Sequence, residues 1–266
     1  MEKRAICLFI IGEKYQAIYS KLKKQFETYS KKYNADLVLI TEAPDTSFHR
    51  SLLSQKLLLP SLVLKYDLCL FMDLDILISE NAPDIFLTLP KDKSFGAILD
   101  PRGTDEFNKT WAHIPRILSE TTFDYFTLRN FDYSDQLQGS INGGIFIFRP
   151  QKIADLFSKY YYSNHNQGEL NSFEETPMAY ITQTKNLFFA LDNKFNTQVL
   201  YKIKGTDYGN SVLIQQNKIP KLIRKYINRK NKNTIIQTPL YRKFIQKLLE
   251  ENYFVHFAGN YPIPNL

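Results

Sequence analysis

The first 80 residues alternate short apolar runs with longer amphipathic segments, and this alternation limits the folds available to the chain. AICLFIIG (5–12) and ADLVLIT (35–41) are apolar runs of strand length. Between them, residues 13–33 place aromatic and aliphatic side chains at three- and four-residue spacing among lysines, as in an amphipathic helix. Because strands that alternate with helices usually form a parallel sheet covered by those helices, we predict an α/β fold.

The third apolar run, LCLFMDLDILI (68–78), carries two acids. It follows a predicted helix, SLLSQKLLLPSLVLKY (51–66), which we expect Pro60 to kink or divide. If the run is one strand, alternation points Asp73 and Asp75 the same way. Ligands of open α/β sheets bind beyond the carboxyl ends of the strands, and a buried carboxylate needs a partner or a metal. The pair therefore indicates a site for a hard divalent cation, Mn²⁺ or Mg²⁺, with two solvated acids as the alternative.

The rest of the chain continues this pattern less regularly. FGAILD (95–100) is a predicted strand, residues 101–138 a long irregular surface excursion, and GSINGGIFIFRP (139–150) a glycine-rich turn entering a strand. The remaining predicted elements are a helix beginning with IADLFSKYYY, a helix and then a short strand or turn over 181–196, basic helices over 218–250, and a last strand, YFVHFAG (253–259). We find no internal repeat or low-complexity linker in the sequence, so we predict a single domain, 1–266.

Two glycine-containing motifs add polar groups. In INGGIFIF, the amide of Asn142 both donates and accepts hydrogen bonds, while Gly143 and Gly144 let a ligand approach the backbone. A plain tight turn explains the same residues equally well. In VHFAG, the imidazole of His256 is a suitable third ligand for a metal held by two carboxylates. A lone histidine at a strand end is otherwise a structural residue.

Two charged stretches have more than one interpretation. In FEETPMAY, Glu174 or Glu175 contacts a substrate hydroxyl or acts in catalysis, or the two acids begin a helix that Pro177 favours. The acid-free basic run 218–232 either lies on an anionic membrane or forms a basic surface helix packed on the domain.

Composition narrows the functional classes. The net charge of +7, from 34 Lys and Arg against 27 Asp and Glu, fits an acidic ligand, a membrane surface or a nucleic acid, and is also common among soluble proteins. The two cysteines, Cys7 and Cys69, lie in apolar runs, which predicts buried free thiols rather than a zinc site. No apolar stretch reaches membrane-spanning length, and the first apolar run is too short and too soon followed by charge for a signal peptide. We expect a cytoplasmic protein, either free or peripheral at the inner face of a membrane.

The order of these motifs resembles that of GT-A glycosyltransferases, most closely the family 8 type that includes glycogenin and bacterial lipopolysaccharide galactosyltransferases. In that type a helix with a basic residue leads into an apolar strand ending in Asp-x-Asp, here QKLLLPSLVLKYDLCLFMDLDILI. An Asn-x-Gly turn opens a later strand, here INGGIFIF, and a His-Phe-x-Gly follows near the C-terminus, here HFAG. The resemblance extends from Ala5 to Gly259, and the ordered set is more specific than any one motif.

The resemblance implies a GT-A fold and transfer of a hexose, with retention, from a nucleotide-diphospho-sugar to a glycan or glycolipid hydroxyl. UDP is the nucleotide that the family usually employs. Residues 1–150 would bind the nucleotide sugar and 151–266 would form the acceptor side. The implied metal ligands, for Mn²⁺ or Mg²⁺, are Asp73, Asp75 and His256. The implied donor contacts are Ile11, Gly12, Lys56, Asp73, Asn142, Gly143, Gly144, Asn196 and Gly259, and the implied catalytic or sugar-binding acids are Glu174 and Glu175.

Two departures from the family pattern leave alternatives open. HFAGNYPIPNL lacks the Lys-Pro-Trp that often follows this motif and binds diphosphate, and Glu174-Glu175 stands where Asp-Gln is frequent. One alternative is a degenerate GT-A domain that binds a nucleotide sugar without catalysis. Another is a haloacid dehalogenase-type phosphatase, although its Asp-x-Asp is usually followed by Gly-Thr rather than by Ile76-Leu77. The sequence carries no recognised nucleic-acid-binding motif, so we expect no nucleic-acid partner.

Overall fold

The computed structural model describes residues 2–48, 50–163, 173–220, 222–223, 235–259 and 261–264. The chain divides into two compact units, each assembled from three separate segments of the sequence. The first unit comprises Met1–Leu74, Asp84–Asp100 and Glu120–Asn193, and the second comprises Asp75–Pro83, Pro101–Ser119 and Lys194–Leu266. The single domain with halves 1–150 and 151–266 stays a prediction.

Strands and helices alternate through the described residues. The strands are β1 (Arg4–Phe9), β2 (Ala35–Ile40), β3 (Leu68–Met72), β4 (Ile76–Ile78), β5 (Phe95–Leu99), β6 (Ile141–Phe148), β7 (Phe188–Ala190), β8 (Thr197–Gln198) and β9 (Phe254–His256). The α-helices are α1 (Glu13–Lys32), α2 (Leu59–Leu62), α3 (Asp105–Trp111), α4 (Pro115–Leu118), α5 (Thr122–Thr127), α6 (Pro150–Tyr162), α7 (Glu175–Thr184), α8 (Val199–Gly205), α9 (Asp207–Lys218) and α10 (Pro239–Glu251).

The first unit is built on a six-stranded sheet in the order β2-β1-β3-β6-β5-β7. β6 runs antiparallel to its neighbours β3 and β5, whereas β1 pairs in parallel with β2 and β3, and β5 pairs in parallel with β7. Helix α1 contacts β1 and β2, as expected for an amphipathic helix that follows a buried strand. The predicted α/β fold with a mostly parallel sheet is therefore confirmed.

The core of the first unit is aromatic. Phe71 of β3 stacks on Phe146 of β6 at 4.8 Å between ring centroids, and Phe146 stacks on Phe95 of β5 at 5.5 Å. These three rings are fully buried, so apolar burial fixes the order of the central strands. Cys7 and Cys69 are buried and unbridged, which confirms the prediction of free thiols.

The second unit contains a three-stranded sheet in the order β4-β9-β8. β9 runs antiparallel to β4 and parallel to β8, whose chain continues directly into α8. Helix α8 packs against α3 and α9, and α10 packs against α9 and β9. Within the described ranges, no helix combines the length and the apolar character needed to cross a membrane.

The prediction of one continuous strand over residues 68–78 is wrong. β3 ends at Met72, and β4, which begins at Ile76, belongs to the other sheet. Asp73 and Asp75 therefore lie in the connection and do not alternate along a strand. The physical reason is that the ladder partners change, since β3 pairs with β6 whereas β4 pairs with β9.

Other predictions need correction. The helix expected over 51–66 is reduced to a 3₁₀ helix, Ser54–Leu58, and the short α2, Leu59–Leu62. Pro60 lies in the first turn of α2, where a proline needs no N–H donor, so the expected division of the helix lies next to this proline. Asn142 and the following glycines belong to β6 and not to a preceding turn. The stretch 101–138, predicted to be irregular, contains α3, α4 and α5. Of the basic helices predicted over 218–250, the second is confirmed as α10, whereas most of the first, at 221 and 224–234, lies outside the described residues.

The stacked core predicts a large loss of stability when its central ring is removed. We expect Phe146→Ala to lower the free energy of unfolding by about 3–5 kcal/mol, because it deletes a fully buried ring and leaves a cavity. Leu87→Ala is the control, since Leu87 is 75% exposed and its truncation should cost less than about 0.5 kcal/mol. Chemical denaturation followed by circular dichroism measures both values, and equal losses would contradict this description of the core.

Candidate functional site

The connection Asp73-Leu74-Asp75 is fixed by one backbone hydrogen bond at each end. The N–H of Asp73 donates to the carbonyl of Gly144 in β6 over 2.8 Å, within the first unit. In the second unit, the N–H of Phe257 donates to the carbonyl of Asp75, also over 2.8 Å. Each aspartate is therefore held by a residue of a sequence motif, Asp73 by Gly144 of INGG and Asp75 by Phe257 of HFAG.

His256 lies next to Asp75 in the second unit. Its Nε2 is 3.4 Å from Oδ1 of Asp75, and its Nδ1 is 2.9 Å from Oδ1 of Asn196. His256 and Asn196 are both buried, with 4% of each exposed. If Nδ1–H donates to Asn196, the neutral ring presents its Nε2 lone pair to the carboxylate of Asp75.

Asp75 and His256 form a candidate metal-binding pair within the second unit, and the sequence motif adds Asp73. One residue separates the two aspartates in the chain, so the backbone itself keeps Asp73 close to Asp75. In the tautomer with the proton on Nδ1, the lone pair of His256 Nε2 faces a lone pair of Asp75 Oδ1, and the two repel each other unless a cation lies between them. Two carboxylates and one imidazole suit Mn²⁺ or Mg²⁺, and an imidazole whose second nitrogen is hydrogen-bonded is the usual state of a ligating histidine. The residues present therefore fit the implied metal.

A buried cluster of charges lies beside Asp73 in the first unit. The Nζ of Lys56 is 3.0 Å from Oδ1 of Asp73 and 2.9 Å from Oε1 of Glu174. It also donates to the carbonyl of Gly143 over 3.0 Å and lies 4.8 Å from the centroid of the Phe71 ring. The 3₁₀ helix Ser54–Leu58, all of whose residues are buried, supplies Lys56 to this cluster.

Burial and charge act against each other in this cluster. Burial lowers the pKa of the Lys56 ammonium, but the negative charges of Asp73 and Glu174 outweigh burial, so the net shift is upward and Lys56 stays protonated. Burial raises the pKa of the Glu174 carboxyl, and the adjacent ammonium of Lys56 opposes that shift. Burial, followed by the charge of Glu174, raises the pKa of Glu175 to about 8, although the Gly143 N–H lowers it. The two neighbouring acids therefore have different environments.

β6 brings the Asn-Gly-Gly motif to the same place. Its ladder with β5 shifts register between Ala97 and Ile98, which lets Gly143 and Gly144 depart from regular pairing. Oδ1 of Asn142 accepts a hydrogen bond from the N–H of Gly144 over 3.0 Å. The motif is therefore an irregular part of a strand, adjacent to Asp73 and Lys56.

Ile11 and Gly12 follow β1 at the same end of the sheet as Asp73, because β1 and β3 are parallel. Gly12 has a φ of 87° at the start of α1, a conformation that favours glycine. In the second unit Gly259 follows β9, with a φ of 79°. The donor contacts implied for Ile11, Gly12 and Gly259 stay predictions.

The sequence analysis missed two features of the site. The first is the contact of Asn196 with His256, which connects residues 60 positions apart and has no local signal. The second is Asp100, which follows β5 directly and whose charge contributes to the raised pKa of Glu175. Asp100 had the same signal as Asp73, an acid at the end of an apolar strand. The membrane contact predicted for 218–232 falls mainly on residues outside those described.

The role of Asn196 gives a prediction for metal affinity. We expect Asn196→Ala to weaken Mn²⁺ binding roughly 10- to 100-fold, because the imidazole of His256 loses the acceptor that orients it. Asn108→Ala, at an exposed position of α3 in the same unit, should leave the affinity unchanged. Electron paramagnetic resonance titration of Mn²⁺ measures both, and an unaltered affinity for Asn196→Ala would rule out this orienting role.

Comparisons with known proteins bear on the fold. No protein-family profile matches the sequence, and no curated protein does so. Among solved structures, the chain resembles a glycosyltransferase involved in glycosylation of the major capsid of PBCV-1, at 11% identity and a TM-score of 0.52 over 97% of this chain and 94% of that one. It also resembles the bifunctional glycosyltransferase WbbM, at 12% identity and a TM-score of 0.55 over 97% of this chain and 46% of that one.

A third similar structure is the glycosyltransferase GlyE of Streptococcus pneumoniae TIGR4, at 14% identity and a TM-score of 0.50. This chain is covered completely by that match, but it spans only 58% of GlyE, as it spans 46% of WbbM. At these identities the likeness establishes the fold. The chain has the fold of GT-A glycosyltransferases, as the order of its motifs implied.

Proposed function

We propose that this protein is a metal-dependent glycosyltransferase that moves a hexose from a nucleotide-diphospho-sugar to a hydroxyl of a glycan or glycolipid. The observation that carries the proposal is the pair of Asp75 and His256, which suits a divalent cation, follows Asp73 in an Asp-x-Asp motif and belongs to a chain with a glycosyltransferase fold. A UDP-sugar donor and retention of configuration follow from the resemblance to family 8 enzymes and belong to the proposal.

The residues of the site have distinct tasks on this proposal. Asp73, Asp75 and His256 hold Mn²⁺ or Mg²⁺, and Asn196 orients the imidazole of His256. When bound, the cation supplies Lewis-acid stabilisation for the charge that develops on the departing nucleoside diphosphate. Backbone groups and the Asn142 amide at the irregular part of β6 would contact the donor sugar, a role that the resemblance supports.

Of the two neighbouring acids, Glu175 is the better candidate for contact with substrate. Its carboxylate accepts a hydrogen bond from the N–H of Gly143 over 2.8 Å, and its side chain is partly exposed. Glu174 is only 2% exposed and is paired with Lys56. A carboxyl with a pKa of about 8 exchanges a proton near neutral pH, which suits a group in an active site.

A second candidate function is binding of a nucleotide sugar without transfer. The observation in its favour is the sequence HFAGNYPIPNL, which lacks the lysine that often follows the His-Phe-x-Gly motif in the family. Hydrolysis of a donor in the absence of acceptor separates the two candidates, because only a catalytic site releases the nucleoside diphosphate.

The test is a panel of UDP-, GDP-, CMP- and dTDP-sugars, each with and without Mn²⁺, read by thermal shift and by release of nucleotide. We expect one nucleotide class to raise the melting temperature only with Mn²⁺, since a ligand that binds the folded state stabilises it by mass action. Asp75→Asn should abolish that shift, because it removes a charged metal ligand. Asp92→Asn, at an exposed position, is the matched control and should preserve it.

The outcomes differ for the two candidates. A Mn²⁺-dependent shift with slow release of nucleotide supports transfer. A shift without release from any donor favours the binding domain. If Asp75→Asn keeps the full Mn²⁺-dependent shift, the metal site has been assigned to the wrong residues.

A further inference from the structure

Lys56 is surrounded by acceptors from its own unit. An ammonium group has three N–H donors, and the Nζ of Lys56 has three acceptors close to it. These are Oδ1 of Asp73 at 3.0 Å, Oε1 of Glu174 at 2.9 Å and the carbonyl oxygen of Gly143 at 3.0 Å. Only 3% of the residue is exposed. All three N–H donors of Lys56 therefore bind acceptors within the protein, and they join the segments that contain Asp73, Gly143 and Glu174.

The charges of this cluster determine what Asp73 can offer to a cation. If Lys56 faced Asp73 alone, the two charges would cancel and Asp75 would be the one remaining anionic ligand of the group. Glu174 supplies a second negative charge to Lys56 at nearly the same distance as Asp73. The three carboxylates and one ammonium then leave two negative charges, which balance one divalent cation.

We propose that Glu174 is a positioning residue that neutralises Lys56 and thereby preserves the negative charge of Asp73 for the divalent cation. This inference rests on the proposed function, because it assumes that Asp73 is a metal ligand. In this role Glu174 acts through Lys56, with which its Oε1 is paired at 2.9 Å. It therefore differs from Glu175, whose hydrogen bond is to the backbone of β6.

The backbone around Gly143 is shaped for this contact. A Cβ atom at Gly143 would collide with Oε1 of Glu174 and would lie 3.1 Å from Cγ of Glu175. The glycine thus lets the first residues of α7 pack directly against β6. The carbonyl of Gly143 accepts a hydrogen bond from Lys56, the partner of Glu174, while its N–H donates to Glu175. Glu174 and Glu175 therefore have different partners although they are adjacent in the sequence.

The experiment measures Mn²⁺ affinity in the absence of nucleotide. We expect Glu174→Gln to weaken Mn²⁺ binding roughly 10- to 100-fold, as is typical when a partner of a metal ligand is lost. A residue that served only to contact the donor sugar would leave this affinity unchanged. Electron paramagnetic resonance of free Mn²⁺ gives the dissociation constant, and circular dichroism verifies that each variant is folded.

A matched variant controls for the loss of a buried acid. Glu120→Gln removes a buried carboxylate that pairs with Arg129 at 3.3 Å. It reproduces the cost of breaking a buried ion pair without touching Lys56.

A double variant, Lys56→Met with Glu174→Gln, tests whether the effect is one of charge. It restores the net charge that Asp73 and Asp75 present, so we expect its Mn²⁺ affinity to return to within a few-fold of the parent protein. It also removes a buried ammonium that would keep Asp73 as its charged partner, and weak Mn²⁺ binding by this variant contradicts the inference even if Glu174→Gln alone fails to fold.

The outcomes separate this inference from the proposed function. Weak binding by Glu174→Gln with recovery in the double variant supports it. Parent-like binding by Glu174→Gln, or a double variant as weak as that single variant, overturns it while the metal site stands. If the parent protein binds no Mn²⁺, the proposed function itself fails and this inference with it.

Discussion

The site depends on the chain leaving one sheet for another between Met72 and Ile76. Two backbone hydrogen bonds hold that connection, one from Asp73 to β6 and one to Asp75 from the residue after β9. Each bond belongs to a different unit, and each comes from a segment with a recognisable motif. The positions of the two acids therefore depend on β6 in the first unit and on the residue after β9 in the second.

Lys56 shows how a fold retains a buried charge near a metal site. An isolated ammonium in the interior is costly, and the pairing with Asp73 and Glu174, the Gly143 carbonyl and the face of Phe71 together offset that cost. A buried ion pair is weak evidence for added stability, because an apolar replacement of equal volume is often as stable. We therefore interpret the cluster as a functional feature that positions charge beside Asp73.

Sequence reasoning succeeded where the signal was local or where several motifs kept an order. The amphipathic pattern of α1 predicted its bounds closely, and the ordered motifs predicted the GT-A fold. It failed where the structure depends on contacts between segments that are distant in the sequence. The run 68–78 is uniformly apolar around its acids, so its division into β3 and β4 depends on ladders with β6 and β9. Likewise, only the tertiary structure joins Asn196 to His256 and Glu174 to Lys56.

The segment after His256 explains how this chain departs from the family pattern. The chain turns at Gly259, which has a φ of 79°, and the ring of Tyr261 packs near that glycine. Tyr241 of α10 donates to the carbonyl of Pro262 over 2.8 Å, which fixes the segment on the second unit. Lys56, in turn, uses its three donors within the first unit. On the proposed function, neither position supplies a cation to the diphosphate. The charge of a bound divalent metal then has a larger share in holding the diphosphate, and a buried acid that keeps Asp73 anionic would strengthen the binding of that metal.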